Sequence, residues 1–186
     1  MNKPLQDYKR KSYLELGELF FWTATIHQWQ KLLHPDPYKD IIIQSLTYLT
    51  HAGKIDVYGF VIMPNHTHLI WRTKTFNGKE TAQGSFLKYT AHEFRKLLYK
   101  ENKEHLEAYK VTAANKSHEF WQRDSLAIHL DNQQIAFQKL DYIHNNPLAE
   151  HWQLVKDPSA YKYSSAAFYE RGESDFPFLK DLREEF

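Results

Sequence analysis

The chain of 186 residues contains no cysteine. That excludes a disulfide framework, cysteine-ligated zinc, iron–sulfur clusters and thiol catalysis, and it makes the cytoplasm the default compartment. Long apolar runs are also missing. The longest are of the size of Leu19–Trp22 and Phe60–Met63, far too short to cross a bilayer, so no membrane partner is expected. Lys3, Lys9, Arg10 and Lys11 make a basic start, but Asp7, Glu15 and Glu18 break up the same region, and no signal-peptide core is expected. Charge of one sign is not in surplus: 24 Lys and Arg stand against 23 Asp and Glu, a formal +1. This argues against a uniformly basic nucleic-acid coat and leaves room for a locally basic site. No Pro/Gly/Ser-rich linker and no internal repeat divides the chain. With 42% hydrophobic and 25% charged residues, one globular domain over residues 1–186 is expected, not a disordered segment. What stands out is 11 His and 12 Tyr.

Leu19–Ile26, rich in aromatic and β-branched residues, reads as a strand. Pro35 and Pro37 mark a loop, and Tyr38–His51 reads as a helix with Gly53 just past its end. Ile55–Met63 and His66–Thr73 read as a hairpin around Pro64 and Asn65. A polar helix comes next over about 85–100, then a charged stretch, Glu101–Ser117, of open structure. Ser125–Leu130 reads as a short strand, and Asn132–Asn146 as a helix stopped by Pro147. The tail from Leu148 is aromatic and irregular. The order β-α-β-β-α-β implies an α+β, ferredoxin-like antiparallel sheet with helices on one face, plus a further C-terminal helix. One sheet face is left for a site, and the order by itself carries no function.

Side chains alternate along a strand, so in Met63-Pro64-Asn65-His66-Thr67-His68-Leu69-Ile70-Trp71 the residues His66, His68 and Ile70 share one face. Imidazoles two residues apart on one face can converge on one cation, since their backbones are roughly 6.5–7 Å apart. An isolated His-x-His is a weak signal, and spacing alone favours two packed or surface strand histidines. No His-Glu-x-x-His helix, calcium loop, phosphate loop or Gly-x-Ser-x-Gly elbow competes, so P-loop ATP chemistry is unsupported. On the last helix Ala136, Leu140 and Ile143 form an apolar stripe, while Gln138, Tyr142 and Asn146 form a polar one at i, i+4, i+8. That polar stripe suits a half-buried tyrosine and a helix-ending asparagine, or a nucleophile and an amide ligand on one helix face.

Four motifs stand in order: Met63-Pro64-Asn65-His66-Thr67-His68-Leu69-Ile70, Phe120-Trp121-Gln122-Arg123-Asp124, Asp141-Tyr142-Ile143-His144-Asn145-Asn146-Pro147, and Tyr161-Lys162-Tyr163-Ser164-Ser165-Ala166. Together they resemble the single-tyrosine HUH transposases, most closely the REP-associated tyrosine transposases, over about residues 20–169. The resemblance implies that His66, His68 and Asn146 hold a divalent metal, Mg²⁺ or Mn²⁺. It implies that Tyr142 is the nucleophile, cutting and rejoining single-stranded or hairpin DNA through a 5′-phosphotyrosine, and that the last helix is the catalytic one. Two imidazoles and an amide are borderline ligands, which favours Mn²⁺ in binding strength. Thr67 departs from the family's pattern, which has a bulky hydrophobe between the histidines; it points to the opposite sheet face and bears on packing. The Glu101–Ser117 stretch is also atypical.

For DNA contact the sequence offers Lys88, Arg95, Lys96 and Lys100 on the long helix, and Trp121 with Arg123. The helix cations equally suit a solvated face. Trp71, Tyr161 and Tyr163 are further stacking candidates, Trp71 more naturally a core residue. Tyr89 reads as packing among apolar helix residues, and His144 is assigned no role. The rival functions are a hairpin-DNA-binding relative that no longer cuts, and a small-molecule metallohydrolase. The family includes both monomers and dimers with the tyrosine helix supplied in trans, so a monomer and a homodimer are both open. The expected place of action is the cytoplasm, at the nucleoid.

Overall fold

In the computed structural model, residues 14–113, 116–123 and 125–186 are described. The basic start at Lys3, Lys9, Arg10 and Lys11, with Asp7, and also Ala114, Asn115 and Asp124, lie outside the described residues. The elements are β1 (Leu19–Thr25), α1 (Asp36–His51), β2 (Ile55–Ile62), β3 (His66–Thr73), α2 (Ala82–Glu101), α3 (Lys103–Glu107), β4 (Lys110–Ala113), β5 (Lys116–His118), β6 (Leu126–His129), α4 (Gln133–Asn145) and α5 (Ala166–Arg171). β2, β3, β1 and β6 form one sheet in that spatial order, with every neighbour antiparallel. This is the ferredoxin-like arrangement of an α+β chain.

The alternation of β1 divides the interior into two layers. Phe20, Trp22 and Ala24 face α1 and α2, where Trp22 stacks on Trp71 at 4.9 Å and meets the edge of Phe86 at 5.6 Å. Phe21 faces the other way, toward Ala136, Leu140 and Ile143 of α4. The helices of the βαββαβ unit therefore cover one face, and α4 crosses the other. Its start is fixed by Asn132, whose side chain accepts from the backbone N–H groups of Gln134 and Ile135.

α4 lies close to the sheet because of an irregularity in β2. The register slips between Val57 and Gly59. Such a bulge turns two successive residues to one face, so Tyr58 joins the α4 layer while Phe60 rejoins the other. A Cβ on Gly59 would stand 2.7 Å from Leu140 Cδ1, so only glycine permits this approach without rearrangement.

The charged 101–117 stretch forms α3 and the strand β4, which pairs with β5, docked on the α1/α2 layer through Leu106 and Tyr109. The tail is ordered by the free edge of β2. The Ile62 N–H donates to the Tyr163 carbonyl, and the Ser165 N–H to the Phe60 carbonyl. The edge is thereby covered, as exposed edges usually are.

Candidate active site

Antiparallel pairing sets Thr23 opposite His68 and Thr25 opposite His66, all on the α4 face. The two imidazoles are 4.6 Å apart between ring centroids. Each has its Nδ1 engaged. His66 Nδ1 lies 2.6 Å from Asn65 Oδ1, an atom that can only accept, so this nitrogen carries the proton and Nε2 carries the lone pair. His68 Nδ1 lies 2.7 Å from Thr23 Oγ1, and its Nε2 is fully buried without a hydrogen-bond partner. Burial, followed by the nearby charge of His151, pushes the His66 pKa down to about 4. Burial, followed by His66 and Lys139, also holds His68 well below the usual range. Two neutral imidazoles held at Nδ1 by hydrogen bonds, the His66 lone pair set on Nε2 and that of His68 on Nε2 when the Thr23 hydroxyl accepts, fit a divalent metal. Among the described residues no group of three His, Asp or Glu completes a metal site.

α4 brings the rest. A cavity of about 580 Å³ is lined by His66, His68, Gln138, Tyr142 and Asn146, with Thr23, Thr25 and Trp29 on its walls. Tyr142 is 50% exposed, its ring 5.3 Å from that of His68 and edge-on to Phe21 at 6.1 Å. Phe21 itself stacks on His68 at 5.2 Å, so one buried ring sets both partners. Asn146, buried where α4 passes into a 3-10 turn at Pro147, presents an amide to the same cavity. The stripe Gln138–Tyr142–Asn146 thus faces the histidines. Lys139 adds a cation, its Nζ 5.1 Å from the Phe21 ring and 5.8 Å from the Tyr142 ring.

The residues singled out for DNA contact sit elsewhere. Arg95, Lys96 and Lys100 are exposed on α2, which packs on the opposite sheet face, and Lys96 pairs with Glu93 at 2.7 Å. Trp121 is 7% exposed and donates its indole N–H to Thr90 Oγ1, so it is a core residue with no ring face free for a base. Arg123 is exposed and pairs with Glu119 at 3.2 Å. Lys88 pairs with Glu80 at 2.6 Å. Tyr163 is buried, with its hydroxyl on Asp40, and Tyr161 donates to the Ile62 carbonyl, so both hold the tail in place. Tyr89 is not packed inward: it is 42% exposed and lines a groove between α1 and α2. Thr67 is buried on the far face, where its hydroxyl donates to the Val61 carbonyl.

Thr23, Phe21, Lys139 and the Asn65 amide are site residues that sequence reasoning did not assign. Only Lys139 carried a signal, standing three residues before Tyr142 on one helix. His144 also acquires a place. Its Nε2 lies 2.8 Å from Ser165 Oγ, to which the Phe60 N–H donates, and this ties α4 to the β2 edge. Burial lowers its pKa to about 4.

No protein-family profile and no curated protein matches the chain. Solved structures do. A REP-associated tyrosine transposase bound to a REP hairpin aligns over 96% of this chain and 93% of its own, at 19% identity and a TM-score of 0.57. At that identity the likeness establishes a shared fold. A candidate transposase of Deinococcus radiodurans R1 aligns over 78% of this chain and 97% of its own, at 15% identity and a TM-score of 0.43, too distant to add to the argument.

Proposed function

We propose that the protein is a transposase of the single-tyrosine HUH kind, a metal-dependent enzyme that cuts and rejoins single-stranded DNA. The observation that carries this reading is the Tyr142 ring facing His68 at 5.3 Å across a cavity that also holds His66 and Asn146. A tyrosine hydroxyl, two imidazoles and an amide converge there, and among the described residues of the cavity wall Asp141 is the one carboxylate. The shared fold with the hairpin-bound transposase supports the reading, and hairpin-forming repeats are accordingly the proposed DNA.

His66, His68 and Asn146 would hold Mg²⁺ or Mn²⁺. A cation so bound supplies Lewis-acid stabilisation to the charge of the scissile phosphate and its leaving oxygen. Tyr142 Oη attacks phosphorus and gives up its proton to water. The bond from phosphorus to the 3′-oxygen breaks, and that oxygen takes up a proton as a free 3′-hydroxyl. The phosphotyrosyl ester keeps one phosphodiester-like bond, so a 3′-hydroxyl can reverse the step without ATP. Phe21 and Thr23 orient His68, Asn65 orients His66, and Lys139 offers its charge to the DNA backbone. Because Tyr142 and His68 meet within one chain, we propose that the site is completed in cis.

The test is incubation of end-labelled hairpin and single-stranded oligonucleotides with the protein and Mn²⁺, followed by a denaturing gel. The reading expects a covalent adduct that EDTA abolishes, that Tyr142→Phe eliminates and that His66→Ala reduces by about 10²-fold or more. Hairpin binding with no adduct over a broad panel of repeats would instead favour a non-cutting DNA-binding relative.

A further inference from the structure

Three non-glycine residues among those described have left-handed backbone: Gln28 (φ 54°), Trp29 (φ 58°) and Gln153 (φ 45°). A bulky residue in that region is strained, and strain of this kind persists where the surroundings impose it, often at ligand-binding positions. Gln28 and Trp29 are neighbours in one turn, and Trp29 and the residue before Gln153 border one stretch of surface. Trp29 ends the turn after β1 and lines the cavity that holds His66 and Tyr142. Gln153 follows Trp152, whose ring lies 6.2 Å from His66. A second groove of about 650 Å³, lined by Lys31, His34, His105 and Trp152, adjoins the first and shares His151 with it.

Trp29 has two further peculiarities. It is 61% exposed, although an indole gains from burial. Its carbonyl also accepts a hydrogen bond from Asn65 Nδ2 at 3.4 Å, while the Oδ1 of the same amide accepts from His66 at 2.6 Å. One side chain therefore fixes both the strained turn and the imidazole. Behind it, Lys31 Nζ stands 5.7 Å over the Trp152 ring, which places a cation beside an aromatic face. An exposed indole at Trp29 and a half-buried one at Trp152, with a cation beside them and a phosphate-processing cavity next to them, suit unpaired nucleobases and their backbone.

We propose that Trp29 is a stacking platform for an unpaired base of single-stranded DNA next to the scissile phosphate, with the strand continuing past Lys31 and Trp152 into the adjoining groove. This rests on the reading of the cavity as a DNA-cleaving site. It also explains the left-handed turn: Asn65 keeps the indole in register with His66, so that base and phosphate are positioned together.

The test is fluorescence anisotropy with labelled oligo(dT) 12-mers and the full chain in a Tyr142→Phe background, without metal. Trp29→Gly is expected to weaken binding about tenfold, and Trp29→Phe, which keeps a ring, by no more than about threefold. Trp29→Gly also relieves the strained φ, so its Tm should not fall below that of the parent. Tyr48→Ala, an exposed tyrosine on α1, should bind as the parent does. The proposal is overturned if Trp29→Gly binds like the parent, if Trp29→Phe is as weak as Trp29→Gly, or if no variant binds. The covalent-adduct assay on the chain with Tyr142 intact separates the two failures. Loss of oligo(dT) binding in Trp29→Gly with no adduct from any oligonucleotide leaves the platform and removes the catalytic reading. An adduct together with unchanged Trp29→Gly binding removes the platform alone.

Discussion

His68 Nδ1 lies 2.7 Å from the hydroxyl of Thr23, a residue 45 positions earlier in the chain. Strand pairing opposes these two residues, and the contact turns the other ring nitrogen, buried and without a partner, toward the cavity of Tyr142 and Asn146. His66 has the equivalent contact from Asn65. Each imidazole is thus held in direction by one neutral neighbour, and Asn65 also sets the tautomer of His66.

Removing such a neighbour should weaken metal binding without unfolding the chain. Thr23→Val and Asn65→Ala are each expected to reduce Mn²⁺ affinity by about 10–100-fold, read by calorimetric titration or by electron paramagnetic resonance of free Mn²⁺. Asn65→Asp keeps the acceptor for His66 Nδ1 and should retain most of the affinity. Equal affinities in all the variants would contradict the orienting role.

Stability should fall with acidification before the carboxylates titrate. His66 and His144 have folded pKa values of about 4 against an unfolded value near 6.5. The unfolded chain therefore binds more protons between those limits, and stability declines as the pH drops from about 6.5 to about 4. Each histidine contributes at most about 3 kcal/mol to that decline. Urea unfolding at a series of pH values checks this, and His144→Gln should flatten the slope. A stability constant over that window would rule out neutral burial of these rings.

The approach of α4 to the sheet should be sensitive at Gly59, where an added methyl meets Leu140 Cδ1 at 2.7 Å. Gly59→Ala is expected to destabilise the fold by about 1–3 kcal/mol, because Leu140 must leave its position. If the helix shifts to make room, Tyr142 moves relative to His68. Adduct formation should then fall more steeply than hairpin affinity, which a gel assay and anisotropy compare directly.

Completion of the site within one chain has its own test. A mixture of Tyr142→Phe and His66→Ala proteins should show no more adduct than His66→Ala alone. Recovery of activity in the mixture would mean that the tyrosine helix is supplied by a partner subunit.

The parts of this site that the sequence displays are those governed by local periodicity. Alternation put His66 and His68 on one face, and helical spacing put Gln138, Tyr142 and Asn146 on another, and the two stripes face each other across one cavity. What it did not display depends on pairing between distant segments. Phe21 and Thr23 join the histidines only through the register of β1 with β3. The Trp121 reading failed because that ring is closed over by α2, through Phe86, Phe94 and the hydroxyl of Thr90. Arg95, Lys96 and Lys100 lie on α2, across the sheet from the His66 and His68 cavity, a placement that charge patterning does not display. The irregular tail gains its order from the free edge of β2, a partner about 100 residues away.

The central claim concerns one oxygen atom among the hydroxyls of 12 tyrosines. Trapping the adduct with a hairpin oligonucleotide and Mn²⁺, then digesting the protein and mapping the nucleotide-bearing peptide by mass spectrometry, tests it most directly. The account predicts a 5′-phosphonucleotide on Tyr142, within the tryptic peptide Leu140–Lys156. Attachment to any other residue, or cleavage with a free 5′-phosphate and no bound peptide, would contradict it.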